Sequence, residues 1–333
     1  MLYSSMVMPR TAKMMSRIGV ALIALIALIA IGEIATRAIG ITDFPTYSVD
    51  DGIGYIVKPN QSGRFIDKNS WAFNSKSMPT TEEWNPSARA NLLLIGNSVV
   101  MGGNPYNQPD KLAPLMAKDI GDAFAVWPAA TGGWSNVNEM VYLQRNPDVV
   151  KATSFFVWEY MVGGLGGLSV WRGDYVFPSY RPRVARWYTF RRYVLPYFVT
   201  EKRNELPPVD DLQERYLTEF QASVAELSRA SGRTHPGVIF LYPRKQDLLK
   251  ARESKEWLPE KAALQKICDQ YGLTLVDVSH DPRWTPELYR DGVHPSVAGN
   301  VVLAQILSAA VLDAVAPQAG AVNLSPDRVP AQL

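Results

Sequence analysis

From Asn91 to Val315 the chain alternates short apolar runs with helix-length stretches, and this alternation limits the fold more than any other feature. Leu92-Leu93-Leu94-Ile95, four apolar residues in a row, reads as a strand buried on both faces. Short runs at 123–127, 154–158, 238–242 and 273–277 read as four more strands. Helices are expected over 108–120 (despite Pro109 and Pro114), 137–143, 210–231, 257–271 and 297–315. The 210–231 stretch carries Leu212, Tyr216, Phe220, Val224 and Leu227 on one stripe, and Ser296 stands where the last helix needs an N-cap. Strands and helices alternating at this spacing predict an α/β architecture: a five-stranded parallel sheet covered on both faces.

The first strand ends in Gly96-Asn97-Ser98, with Gly102 and Gly103 just beyond. A strand, a tight turn and a serine carry a hydroxyl to the C-terminal edge of a parallel sheet, where open α/β sheets bind ligands. Alone, this pattern is more often a helix cap. Nearly two hundred residues later comes Asp291-Gly292-Val293-His294-Pro295, with one of only three histidines in the chain. On a loop, a carboxylate three residues before a histidine can curl back to hold one imidazole nitrogen, leaving the other to take a proton from a serine.

Together the two stretches resemble the SGNH (GDSL-like) hydrolase superfamily, whose first block is a strand followed by Gly-Asp-Ser and whose last is Asp-x-x-His. Here the first block has Asn97 in place of Asp, and the last block matches fully. The resemblance implies a three-layer, flavodoxin-like fold and a nucleophile, base and orienting acid at Ser98, His294 and Asp291. It also implies an oxyanion hole made by the Ser98 N–H and a glycine N–H from the loop after the second strand. That loop reads Thr131-Gly132-Gly133-Trp134-Ser135, and the family pattern selects Gly133, with Gly132 one place off as the alternative. The third family block usually ends in Gly-x-Asn-Asp, whose Asn is the third oxyanion donor. Here it reads Val157-Trp158-Glu159-Tyr160. A Trp-Glu pair at this place bears a partial, weak resemblance to the alginate O-acetylation branch, which ends instead in Asp-x-His. Asn136 or Asn138, or the Tyr160 hydroxyl, is the expected replacement donor, and Asn136, Glu159 and Tyr160 are the expected substrate-side residues.

Arg10, Lys13 and Arg17 precede an uncharged Ile/Leu/Ala run over 18–32, and Arg37 follows it. Counted from Met14 to Ala35, this approaches the ~20 residues needed to cross a bilayer. The basic flank is expected to stay cytoplasmic and the remainder to be exported, periplasmic in a Gram-negative cell. A cleaved signal peptide is the rival, with Ala30-Ile31-Gly32 as its site, but the apolar run reaches that site without a polar spacer. The chain therefore divides into a cytoplasmic tip and anchor (1–37), a membrane-proximal lead-in (38–90), a hydrolase-like domain (91–315) and a loose tail (316–333). The lead-in shows two short extended pieces, 54–63 and 71–74.

Within the domain, an insert at 163–208 breaks the rhythm with a dense mixture of aromatic and arginine residues, among them Trp171, Arg172, Tyr175, Trp187, Arg191 and Tyr197. It suits a lid with its own small core, a sugar-stacking surface or a membrane interface. With 333 residues and a net charge of +2, the exported domain has no general field for polyanions, so nucleic acid is not an expected partner. Three histidines and one cysteine, Cys268 in an expected helix, leave little for a metal site, and no cofactor is expected. The expected function is an exported serine esterase or O-acyltransferase acting on ester, above all O-acetyl, groups of a cell-envelope or secreted polysaccharide. Its partners would be the acylated carbohydrate or acyl donor, the inner membrane and envelope polysaccharide machinery. A non-catalytic glycan-binding or scaffold protein of the same fold, and a lipase-like enzyme, are the alternatives.

Overall fold

The computed structural model describes residues 10–87, 90–198, 214–254 and 257–316. The start of the expected 210–231 helix, the end of the 163–208 insert and nearly all of the expected tail lie outside the described residues. The chain opens with α1 (Arg10–Ala38). Its segment Arg17–Ala38 has a mean hydropathy of 2.6, and no part of its most apolar stretch is buried against protein. At about 1.5 Å per residue, 22 residues rise about 33 Å, enough for a hydrocarbon core of about 30 Å.

The lead-in is more ordered than its sequence suggests. It forms two antiparallel hairpins: β1 (Tyr47–Asp50) pairs with β2 (Gly54–Val57), and β3 (Gln61–Phe65) with β4 (Asn69–Phe73). Alternation over four or five residues is too short to stand out from a Pro/Asn/Gly-rich background. Packing supplies the stability instead: Tyr47, Tyr55, Val57, Trp71 and Phe73 are buried in the same core as the sheet.

β5 (Asn91–Gly96) runs into α2 (Ser98–Met101). The expected 108–120 helix is split into a 3-10 turn, Gln108–Asp110, and α3 (Leu112–Ile120). Lys111 between them is extended, at φ −84° and ψ 161°. Pro109 begins the short turn, and Pro114 falls in the first turn of α3, where a missing N–H costs no helical hydrogen bond. β6 (Ala125–Ala130) follows, then α4 (Asn136–Arg145), α5 (Pro147–Lys151) and β7 (Thr153–Tyr160). In the insert, α6 (Ala185–Thr189) continues through a π turn, Phe190–Val194, into a 3-10 turn, Leu195–Tyr197. The remaining elements are α7 (Glu214–Ser231), β8 (Gly237–Leu241), α8 (Lys245–Ser254), α9 (Lys261–Tyr271), β9 (Thr274–Asp277) and α10 (Val297–Val315). The short helices α2, α5 and α6 and the longer α8 were not expected; the charged sequence of α8 has no continuous stripe, and it anchors itself through Leu248 and Ala251.

The five long-sheet strands are all parallel, in the order β6-β5-β7-β8-β9. Counted along the chain this is 2-1-3-4-5, the flavodoxin-like arrangement. Leu92, Leu93, Leu94 and Ile95 are at most 1% exposed, as a strand covered on both faces requires. Pro128 is accommodated because β6 pairs on one side only. α3 and α10 pack together on one face, while α4 and α7 cover the other, where the Trp158 ring meets Phe220. Cys268 is buried in α9, and burial pushes its thiol up to about 12, so it is an inert core residue.

Candidate active site

The crevice lies at the C-terminal ends of β5, β6 and β7, where the chain first adds a strand on one side of β5 and then on the other. Gly96 ends β5 because nothing larger fits: a Cβ there would lie 2.4 Å from Glu159 Oε2 and 2.5 Å from Val100 Cγ2. Asn97 then caps α2, its Oδ1 accepting the Val99 N–H at 3.1 Å. Its own N–H donates to Glu159 Oε2, also at 3.1 Å. The turn is thus fixed on both sides, and Ser98 emerges from it.

The Asp291–His294 loop arrives from the far end of the sequence and is held from several directions. Tyr242, just past β8, donates its hydroxyl to the Val293 carbonyl at 2.7 Å, and the Lys245 N–H donates to the Gly292 carbonyl at 3.0 Å. The Tyr106 hydroxyl donates to the Pro295 carbonyl. Ser296 caps α10, as expected, through the Gly299 N–H. So held, the loop sets His294 Nε2 3.0 Å from Ser98 Oγ. On the other side of the ring, His294 Nδ1 is 3.0 Å from Asp291 Oδ2 and 3.1 Å from Oδ1.

With Nδ1 protonated, this tautomer presents an acceptor to the serine hydroxyl. Burial works against the Asp291 charge, but the backbone N–H groups of His294 and Val293, with Arg290 and the imidazole, hold its carboxyl well below the usual carboxylate range. The carboxylate therefore remains charged at any pH where a histidine acts as a base. The pair is open to solvent: the Asp291 and His294 side chains are 44% and 30% exposed.

In the loop after β6, the Gly132 N–H is committed to Met101 Sδ at 3.0 Å, although Gly132 lies against Ser98. The N–H groups of Ser98 and Gly133 have no acceptor among the described residues. Tyr55, from the lead-in, donates its hydroxyl to the Gly132 carbonyl at 2.9 Å. The peptide is trans, so this contact turns the Gly133 N–H to the side away from Tyr55. Gly133 adopts φ +80°, and a Cβ there would sit 2.8 Å from the Tyr55 hydroxyl oxygen. Both observations explain a glycine at this position. Sequence reading noticed Gly54-Tyr55 but had no signal joining it to a loop 77 residues away.

Asn136, Glu159 and Tyr160 lie beneath the crevice rather than lining it, being 3%, 1% and 0% exposed. The Asn136 amide donates to Glu139 Oε2 and to the Glu159 carbonyl. Asn138 is spent on the Ile53 and Ser169 carbonyls. Tyr160 points to the α7 face, against Phe220. Glu159, one place earlier on β7, points to the opposite face and reaches the Asn97 turn. Burial raises the Glu159 carboxyl to about 8, against the opposing hydrogen bonds from Asn97, so it is neutral at pH 7. Burial likewise raises the Glu139 carboxyl well above its usual range, and it accepts from Trp158 Nε1. The third-block position, where the resemblance implies an oxyanion donor, is thus occupied by a buried acid that braces the serine turn.

A cavity of about 130 Å³ opens beside Met101 and Gly103, bounded by Tyr47 from the lead-in and by Tyr188, Arg192 and Tyr193 from the insert. Among the described residues, no three or more His, Cys, Asp or Glu side chains gather as a metal site.

No family model matches the chain, and no curated protein matches its sequence. Among solved structures, it is similar to an α/β hydrolase enzyme from the metagenome of Lake Arreo, Spain. That match has 15% identity over 68% of this chain and 94% of the other, with a TM-score of 0.39. An acetylxylan esterase from Geobacillus stearothermophilus matches at 13% identity over 67% of this chain and 94% of its own, with a TM-score of 0.41. A two-domain esterase active on acetylated mannans matches at 14% identity over 74% of this chain and 54% of its own, with a TM-score of 0.43.

Proposed function

We propose that the chain is a membrane-anchored serine esterase or O-acyltransferase of SGNH type, working outside the cytoplasm on ester-linked acyl groups of a cell-envelope or secreted polysaccharide. The observation that carries the reading is the bonded series Ser98 Oγ to His294 Nε2 at 3.0 Å and His294 Nδ1 to Asp291 at 3.0 Å. In this mechanism Ser98 Oγ attacks the ester carbonyl while His294 takes its proton, and Asp291 stabilises the imidazolium. The tetrahedral oxyanion is received by the unpaired N–H groups of Ser98 and Gly133. Its collapse breaks the ester C–O bond, and His294 returns the proton to the departing alkoxide. Water, or the hydroxyl of an acceptor sugar, then attacks the acyl-serine with His294 again acting as base.

Two backbone donors without a side-chain third stabilise the oxyanion less than three would, each donor being worth ~10²–10³ in rate. The arrangement therefore suits a good leaving group or a transferase that guards its acyl-enzyme from water. Support for the polysaccharide comes from the expected export and from Tyr188, Arg192 and Tyr193 of the insert, which line the cavity beside Met101 and Gly103 and suit sugar rings and their charged substituents.

The test is turnover of 4-nitrophenyl acetate by the full chain, with Ser98→Ala alongside. The proposal expects release by the wild type and a fall of ~10³-fold or more in the variant. Free acetate formed without added acceptor assigns a hydrolase; 4-nitrophenol release that needs an added acceptor glycan and leaves the acetyl group esterified to that glycan, with no free acetate, assigns a transferase. Equal, background-level rates for both proteins, with glycan binding retained, would leave a non-catalytic binding protein.

A further inference from the structure

The helical turns from Ala185 to Tyr197 present their apolar side outward. Ala185 is fully buried, whereas Trp187 is 59%, Phe190 40%, Val194 38% and Tyr197 87% exposed. These residues recur every three or four positions and so share one side of the segment. Trp187 and Phe190 are stacked with ring centroids 5.7 Å apart, so the first half of the stripe is a joined surface rather than scattered side chains. A helix of a water-soluble protein turns such a stripe toward the core. Exposed arginines, Arg183, Arg186 and Arg191, accompany it.

The segment is fixed to the end of α1. Glu33 accepts the N–H of Ala185 at 2.8 Å and that of Arg186 at 3.2 Å. Arg37 donates to the carbonyls of Arg183 at 2.5 Å and Pro182 at 3.4 Å. Glu33 directly follows the uncharged run that ends at Gly32, and the large side chains of that run, from Ile18 to Ile31, face no protein. A bilayer that takes up the span has its boundary at the charged last turns, Glu33 to Arg37, which sets the first turn of α6 at headgroup level.

We infer that the segment from Ala185 to Tyr197 is a second membrane contact, lying on the phospholipid surface beside the exit of α1. Its aromatic stripe enters the boundary between headgroups and acyl chains, and its arginines meet lipid phosphates. The inference rests on α1 as a membrane span and goes beyond the esterase reading. Two independent observations select phospholipid as the occupant: the stripe's bonded continuity with an apolar span, and the cationic side chains beside it. The contact also sets the height of the crevice. Phe177, earlier in the same insert, stacks on Tyr55 at 4.1 Å, and Tyr55 holds the Gly132 carbonyl.

Cys268 is buried, so a nitroxide on a newly introduced exposed cysteine reports alone. The full chain carrying Trp187→Cys, Val194→Cys, Ile26→Cys or Lys266→Cys is reconstituted in vesicles of phosphatidylethanolamine and phosphatidylglycerol. Label collisions with oxygen, which concentrates in hydrocarbon, are compared with collisions with a water-soluble nickel chelate. The oxygen-to-nickel ratio at positions 187 and 194 is expected to be several-fold above that at exposed Lys266 and below that at Ile26. Ratios at both positions equal to that at 266, with position 26 in lipid, overturn the inference and leave the anchor intact. An aqueous reading at 26 overturns the anchor and the inference together. Shielding from nickel at 187 and 194 that requires added acetylated polysaccharide assigns the stripe to glycan and likewise overturns the inference.

Discussion

The sheet edge around Ser98 and the stripe from Trp187 to Tyr197 both gather aromatic and polar side chains, yet they are built in opposite ways. At the sheet edge, the groups that set the serine and the histidine are tied from behind: Gly96 by packing, Asn97 by Glu159, and the 291–295 loop by Tyr242, Lys245 and Tyr106. The stripe's segment is tied at its root by Glu33 and Arg37 and on its inner side by Arg192 to Tyr175 and Tyr188 to Phe44, and it leaves the rings of Trp187, Phe190 and Tyr197 uncovered. The first pattern holds the reacting atoms in one arrangement. The second offers surface to something soft. Substitutions at the edge should therefore act on turnover, and substitutions in the stripe on where the protein sits.

The sharpest way to break this contrast is Asp291→Asn. If the carboxylate sets the His294 tautomer, kcat should fall ~10³–10⁴-fold with little change in folding, as read by ester turnover beside a thermal melt. A loss below tenfold would reduce Asp291 to a turn residue.

Glu159 tests the bracing beneath the site. Replacement by Ala leaves the Asn97 N–H without its acceptor, at a cost of about 1–3 kcal/mol, and frees the serine turn, with turnover expected to drop up to ~10²-fold. Gln mimics the neutral acid and should retain most activity. The pH dependence gives an independent check. The folded-state carboxyl titrates at about 8 against an ordinary 4.5, so the folded chain keeps a proton that the unfolded chain releases. This contribution to stability is full below 4.5 and is lost as pH rises through about 8. Glu159→Gln should therefore lose less melting temperature than the wild type from mildly acid to mildly alkaline pH. Parallel curves would contradict a protonated, buried Glu159.

The parts of the molecule legible in sequence were those with a local signature. Leu92–Ile95 announced itself by four apolar residues, and Asp291 and His294 by a spacing that a single loop can close. The helix of 297–315 and its Ser296 cap were likewise local. The groups missed make their contacts across long separations: Tyr55 with Gly132, Tyr242 with Val293, and Asn97 with Glu159. No periodicity records such pairs. Glu159 was noticed as a departure from a family pattern, but its side of β7 followed only from the strand register, which also sends Tyr160 toward α7. In the insert, the short stripe of 187–197 was hidden among the aromatic and arginine residues between its members, Tyr188, Arg191, Arg192 and Tyr193.

A smaller effect should come from Tyr55→Phe. Losing one hydrogen bond to the Gly132 carbonyl is worth about 0.5–1.5 kcal/mol, or roughly 2–10-fold in kcat. If the peptide bearing the Gly133 N–H acts on the oxyanion alone, KM should hold while kcat falls. The reverse split would make Tyr55 a substrate contact. Smallest of all, Trp187→Ser should leave turnover of a soluble ester within about twofold of wild type. A large loss there would join the stripe to the chemistry and erase the contrast between the two regions.

The central claim is that Ser98 is a nucleophile activated by His294, and covalent trapping tests it most directly. Full-length protein treated with a fluorophosphonate is digested and its adduct located by mass spectrometry. The account predicts one phosphonylated residue, Ser98, with labelling abolished in Ser98→Ala and strongly slowed in His294→Ala. An unlabelled wild type, or an adduct that persists unchanged when Ser98 is replaced, would contradict it.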